Sequence, residues 1–385
     1  MNGNNVLVLG GGSGGLATAG RLKELLGDRV TITVIDKQTS FVLGFSLLRI
    51  MTGEKSEQEV TVPKEKVSQK GIKFINAEVN RIDVKNGTIR TDQGEFTYDY
   101  LVIALGAELA PEKVPGFESA FHMYTLEDAK KLKDSLSSFD GGSIRLVVSS
   151  TPFKCPPAPY EATMLIDGYL RSKGLRQKSD IQIFTPEPQP MPIAGTEVGN
   201  RIVSMLNEKG IGFHSNMKVT SIDGNSKQIV FENGAKEKYD LLIAIPPHTS
   251  PKVVKESDLS DAASGWIPVD PKNMQTKHDK VYAIGDVASV KLTSSGMMLP
   301  KAATFAFGQA ETVAFNIASL VLGTETRSWD GFGECFIETG SGNAGYGSGS
   351  FYASPKPVIN LQMPSKELRE RKDAWGDYWT KRLVG

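Results

Sequence analysis

Apolar residues along this chain come in short runs closed by glycine or proline. VLVL at 6–9 runs into GGGSGG, and LATAGRLKELL at 16–26 follows with apolar positions three and four apart. VTITVID at 30–36, YDYLVIALGAE at 98–108, IRLVVSS at 144–150 and HDKVYAIGDVASV at 278–290 contain near-continuous apolar segments. Such segments suit strands buried on both faces. SDIQIFTPEPQP and YDLLIAIPP add two more strands, and GECFIETGSGNAGYGSGSFYASPKP at 333–357 reads as paired strands around a glycine-rich turn.

The order of the first elements carries chemistry. Gly10, Gly12 and Gly15, with Ser13 and Gly14 among them, fit G-x-G-x-x-G between a strand and a helix. A second strand ends in Asp36, followed by Lys37, about 20 residues on, as a dinucleotide-binding unit requires. The glycines let backbone amides approach a pyrophosphate at a helix N-terminus, and Asp36 is placed to accept from a ribose. This loop is expected to bind an ADP moiety.

A chain of 385 residues exceeds one ordinary core. The pattern predicts an α/β protein with two Rossmann-like three-layer domains and a C-terminal α+β domain. Residues 1–110 with 246–318 form the first domain, 111–245 the second and 319–385 the third. Lys and Arg number 44 against 44 Asp and Glu, so no basic field invites nucleic acid. No uninterrupted run of about 18 apolar residues marks a membrane span. The N-terminal MNGNN shows no leader pattern, and the expected location is the cytoplasm, with peripheral attachment to the cytoplasmic face of a membrane left open. Two cysteines, Cys155 and Cys335, make no disulfide scaffold; they are either packing or redox groups. No His/Cys cluster has metal-ligand spacing, and His122, His214, His248 and His278 read as structural or surface residues.

The strand ending in Ala104–Leu105–Gly106 and the strand ending in Gly285–Asp286 decide between nicotinamide and flavin. With the N-terminal motif, they make the chain resemble the two-dinucleotide-binding-domain flavoproteins of the disulfide reductase superfamily. The resemblance implies FAD, with Asp286 against its ribityl and pyrophosphate region and the Ala104–Gly106 turn at the crossing between domains. A second glycine fingerprint would mark a nicotinamide site, but IRLVVSS runs into TPFKCPPAPYE, whose four prolines build no phosphate nest. NADH is therefore not the expected electron donor.

CPPAPYE, with a second cysteine in the C-terminal segment, resembles the sulfide-oxidising branch of that superfamily, the sulfide:quinone oxidoreductases and flavocytochrome c sulfide dehydrogenase flavoproteins. The likeness implies a redox-active Cys155–Cys335 disulfide beside the flavin, Glu161 as acid/base, and Lys301 of MLPKAATFAFGQAETVAFNI near the isoalloxazine ring. Sulfide is the implied substrate and a quinone the acceptor, with cytochrome c as an alternative. Relatives with a thioether-linked flavin carry a cysteine in the loop after the second strand. FVLGFSLLRIMTG at 41–53 has none, so non-covalent FAD is expected, and the third cysteine of many quinone-reducing relatives is also missing. Alternatives are a type II NADH:quinone dehydrogenase and a non-catalytic flavin-binding protein with inert cysteines. The tail PSKELRERKDAWGDYWTKRLVG reads as a helix whose Trp375, Tyr378 and Trp379 suit a bilayer surface; packing on its own domain or in a homodimer is the alternative.

Overall fold

The structure is a computed structural model that describes residues 4–292 and 295–385. Met1–Gly3, where the leader reading begins, lie outside the described residues, as do Thr293 and Ser294.

A five-stranded parallel sheet runs in the order Val281–Ala283, Tyr100–Ile103, Asn4–Leu9, Val30–Asp36 and Lys73–Asn76. Its central strand pairs Val6 with Ile32 on one side and Tyr100 on the other. Val6, Val8 and Leu9 are wholly buried, which explains a strand without polar alternation. Burying each such side chain contributes about 1.5–3 kcal/mol. Helix Ser13–Leu26 leaves the glycine turn and packs against the long helix Ala303–Leu322.

A second parallel sheet orders Gly212–His214, Ser179–Phe184, Gly142–Val148 and Leu241–Ile245. Helix Ala158–Ser172 connects its strands Gly142–Val148 and Ser179–Phe184. Both parallel sheets bear out the Rossmann-like α/β expectation. Their carboxyl ends, at Leu9, Ile103, Ala283 and Val148, are where such sheets bind ligands.

The glycine-rich C-terminal stretch forms the expected antiparallel strands, Phe332–Gly340, Asn343–Ser350 and Val358–Ser365. Helix Lys366–Val384 follows, capped by Ser365, whose hydroxyl accepts from the Leu368 N–H at 3.1 Å. Two of the helix's three aromatic rings pack on its own protein, the alternative to a bilayer surface. Trp379 stacks on Phe307 at 3.7 Å between centroids, and Trp375 packs among Phe45, Phe307 and Phe336. Leu383 and Val384 are buried, and Arg382 pairs with Glu311 at 2.7 Å. Of the three rings only Tyr378 is exposed. The apolar stripe is thin because it fits one groove of its own protein.

Among the described residues one helix, Ala303–Leu322, is long and apolar enough to cross a membrane, with a mean hydropathy of 1.3 over its most apolar window. Two-thirds of that window is buried inside the protein, as a core helix requires.

Candidate functional site

The glycine turn is built by close chain crossing. Gly10 has φ of +100°, and a Cβ there would lie 2.3 Å from the Ala104 carbonyl oxygen. A Cβ on Gly15 would lie 1.9 Å from the Gly10 carbonyl oxygen. Glycine is therefore obligatory at both positions, and the backbone lies open to a cavity of about 880 Å³.

Gly10, Gly12, Ser13 and Gly14 line this cavity, whereas Gly15 sits behind the turn and supports it. Asp36, Lys37, Ala104 and Gly106 line it too, with Gly285, Asp286 and Lys301. Asp36 accepts from the N–H groups of Gly11 and Gln38 and pairs with the buried Lys64 at 3.0 Å. Lys64 escapes sequence reading because its segment, 64–70, shows no pattern linking it to Asp36. Lys37 is exposed and pairs with Glu78 at 3.0 Å.

The Gly285 N–H donates to Gln309 Oε1 at 2.7 Å, fixing the turn after the strand Val281–Ala283. Lys301 is buried, with its ammonium donating to the Asp286 carbonyl and lying 3.5 Å from the centre of the Trp266 ring. Burial pulls its pKa down to about 8 against the opposing charge of Asp286.

Cys155 and Cys335 reach the same cavity from segments far apart in sequence. Cys155 sits in the proline loop with φ of +58°, and its N–H donates to the Lys301 carbonyl at 2.7 Å. Cys335 lies on Phe332–Gly340 opposite Gly347. Both are free thiols in this structure and partly exposed. Burial, reinforced by the charge of Glu161, pushes Cys155 up to about 12. Burial, with Cys155 and Glu161 adding to it, raises Cys335 well above the ordinary thiol range. Neither ionises readily without a base. Cys335 also borders a second, more apolar cavity of about 560 Å³, beside Pro156, Pro157 and Met191.

Glu161 lies in the first turn of helix Ala158–Ser172, not in a solvated loop, and is 1% exposed. It lines the main cavity, accepts from the Glu338 N–H at 3.0 Å and pairs with Lys372. Burial raises its pKa, and Lys372 opposes the rise. Lys372, Glu338 and Arg49 are further buried charges that sequence reading misses. Only Lys372 leaves a signal: a lysine in the inward stripe with Leu368, Trp375 and Trp379.

None of the four histidines lines the cavity. His122 pairs with Asp128, His278 with Asp258, His214 stacks on Phe184, and His248 meets the Pro246 carbonyl. No cluster of three or more metal-ligating side chains exists among the described residues.

In the second parallel sheet the loop after Gly142–Val148 carries prolines where a phosphate turn would need glycines. Beyond the neighbouring strand, Glu187 is buried and accepts from the wholly buried Tyr160 hydroxyl at 2.7 Å. The acid that could meet a second nucleotide's ribose is thus already occupied.

Two parallel sheets, a glycine turn and a Gly–Asp turn facing one cavity agree with a family-wide match. The pyridine nucleotide-disulphide oxidoreductase family model covers residues 4–150 and 161–310. The chain belongs to this family. It is an enzyme, an oxidoreductase of the flavoprotein type. The gap in the match, 151–160, contains the proline loop and Cys155, where the chain departs from the general pattern.

Among its relatives in this family is the mitochondrial sulfide:quinone oxidoreductase of Dictyostelium discoideum, 26% identical over 358 residues, covering 88% of this chain and 76% of that protein. The type II NADH:quinone oxidoreductase of Staphylococcus haemolyticus is 28% identical over 342 residues, covering 84% of each. The crystal structure of the sulfide:quinone oxidoreductase of Aquifex aeolicus superposes with a TM-score of 0.89 at 22% identity, over 99% of this chain and 91% of that one. That superposition bears on the fold.

Proposed function

We propose that this chain is a sulfide:quinone oxidoreductase working through a Cys155–Cys335 couple and a non-covalently held FAD. The observation that carries the reading is that Cys155, Cys335 and Glu161 open into the same cavity as the glycine turn. The similarity to sulfide:quinone oxidoreductases supports the substrate and acceptor.

The cavity fits the cofactor. Gly10 and Gly15 admit no Cβ, which lets the chain cross closely at the turn, and Gly12, Ser13 and Gly14 present the start of a 14-residue helix to a pyrophosphate. The nearest loop residues, 41–53, contain no cysteine for a covalent link. Held there, FAD would supply a two-electron carrier between the thiols and the quinone. The remaining chemistry belongs to side chains.

HS⁻ attacks one sulfur of the Cys155–Cys335 disulfide, breaking the S–S bond and leaving one persulfide and one thiolate. Transfer of the outer sulfane sulfur to a second nucleophile leaves a thiol. Reoxidation of the two cysteines to the disulfide then releases two electrons and their protons. Glu161, buried and raised in proton affinity, accepts a proton from these thiols and returns it to bulk. Lys301 holds the Asp286 carbonyl and the Cys155 amide through its own side chain and carbonyl, so it fixes the loop beside the cavity.

The type II NADH:quinone oxidoreductase reading has comparable sequence support. The proline loop and the occupied Glu187 weigh against it. Quinone reduction assayed with sulfide and, separately, with NADH discriminates the two. Turnover with sulfide alone is the expected result; turnover with NADH alone refutes the proposal.

A further inference from the structure

Helix Lys366–Val384 carries a lysine where its inward stripe should be apolar. Lys372 is 3% exposed, and its ammonium pairs with Glu161 and, at 2.9 Å, with Glu338 Oε1. Glu338 is wholly buried and is also held by Arg49 at 2.9 Å and Arg369 at 2.8 Å. Those guanidiniums continue to Asp373 and Glu54, both partly exposed. Four segments, from residues 49, 161, 338 and 372, thus bring their charges to one buried point.

The two carboxylates are not equivalent. Glu338 faces three cations, which lower its pKa and keep it ionised. Glu161 pairs with a single cation among the described residues, Lys372, and shares it with Glu338. The remaining titratable groups facing it are Cys155 on its own loop and Cys335 on the strand. Glu334, beside Cys335, is engaged by Tyr346 at 2.7 Å and Trp375 at 2.9 Å. Glu161 is accordingly the carboxylate of the cluster whose burial is least offset by cations, and its pKa is raised.

We propose that Lys372, anchored by Glu338, is a positioning residue that holds Glu161 as the proton acceptor for the cavity cysteines. This rests on the acid/base reading of Glu161 given above. In the step concerned, a thiol proton moves to the Glu161 carboxylate, leaving a thiolate and a neutral acid. Lys372 stays an ammonium and no electrons move. Removing its charge leaves only the Glu338 N–H to oppose burial and the Glu338 charge, so the proton affinity of Glu161 rises. Removing the charge of Glu338 has the reverse effect.

Opposite signs make the test. In the flavin-loaded enzyme, Lys372→Met should move the acid limb of kcat/KM for sulfide to higher pH by about one unit, a roughly tenfold loss on the acid side. Glu338→Gln should move the limb to lower pH, and Lys372→Arg should restore it close to wild type. A carboxylic-acid infrared band titrated on the same proteins reads Glu161 without turnover. It should shift in the same directions and vanish in Glu161→Gln. Limbs and band that stay in place, or that move the same way in Lys372→Met and Glu338→Gln, overturn the proposal. If Lys372→Met fails to fold, Glu338→Gln against Lys372→Arg still decides it. Unchanged activity in Glu161→Gln instead refutes the acid/base reading itself.

Discussion

The backbone N–H of Cys155 donates to the carbonyl of Lys301 at 2.7 Å, and the Lys301 ammonium in turn holds the carbonyl of Asp286. One lysine thus ties the proline loop, with its thiol, to the Gly–Asp turn of the first sheet. The loop stands where a second nucleotide turn would form, but its backbone is bonded to the first sheet's site. That arrangement holds the Cys155 loop beside the Gly–Asp turn.

The reduced Cys155 thiol should titrate far above an ordinary cysteine. Its folded pKa is raised, so the proton stays on through the neutral range and leaves only near 12. Alkylation of the reduced enzyme should therefore quicken about tenfold per pH unit through the alkaline range, following the thiolate fraction. A plateau near about 8.5, the ordinary thiol value, would contradict the buried setting.

Gly15→Ala should abolish flavin retention. Its Cβ would sit 1.9 Å from the Gly10 carbonyl oxygen and 3.2 Å from the Val8 side chain, so the backbone of the turn would have to shift. Gly12→Ala meets nothing within 4 Å, so it should keep the fold. Flavin content of the two purified variants checks the contrast. Equal retention would show that the turn is looser than described.

Trp379→Ala should lower stability, because its ring stacks on Phe307 inside the protein. Truncating a fully buried aromatic costs about 3–5 kcal/mol, and this half-buried ring should cost somewhat less. Thermal unfolding measures this loss. Unchanged stability with weakened vesicle binding would restore the bilayer-surface reading of this helix.

Much of the fold is legible along the chain because its signals are local. Gly10 and Gly15 are demanded by backbone crossing, and Val6–Leu9 are apolar throughout because sheet neighbours cover both faces. The grouping of Cys155, Glu161 and Cys335 follows from family likeness, and their shared cavity agrees with it. Lys64, Arg49 and Glu338 are different. Each is buried only because a distant segment brings an opposite charge, and nothing near them in sequence shows that partner. Trp375 and Trp379 are ambiguous in sequence for a related reason: aromatic rings among charges suit a membrane surface and a narrow intramolecular groove equally well.

The most direct measurement mixes the purified oxidised enzyme with sulfide under anaerobic conditions and follows the oxidised-flavin absorbance band. The account predicts rapid bleaching in wild type and its loss in Cys155→Ser and in Cys335→Ser, with flavin content unchanged in both. Bleaching that persists in both variants, or that NADH produces and sulfide does not, would contradict it.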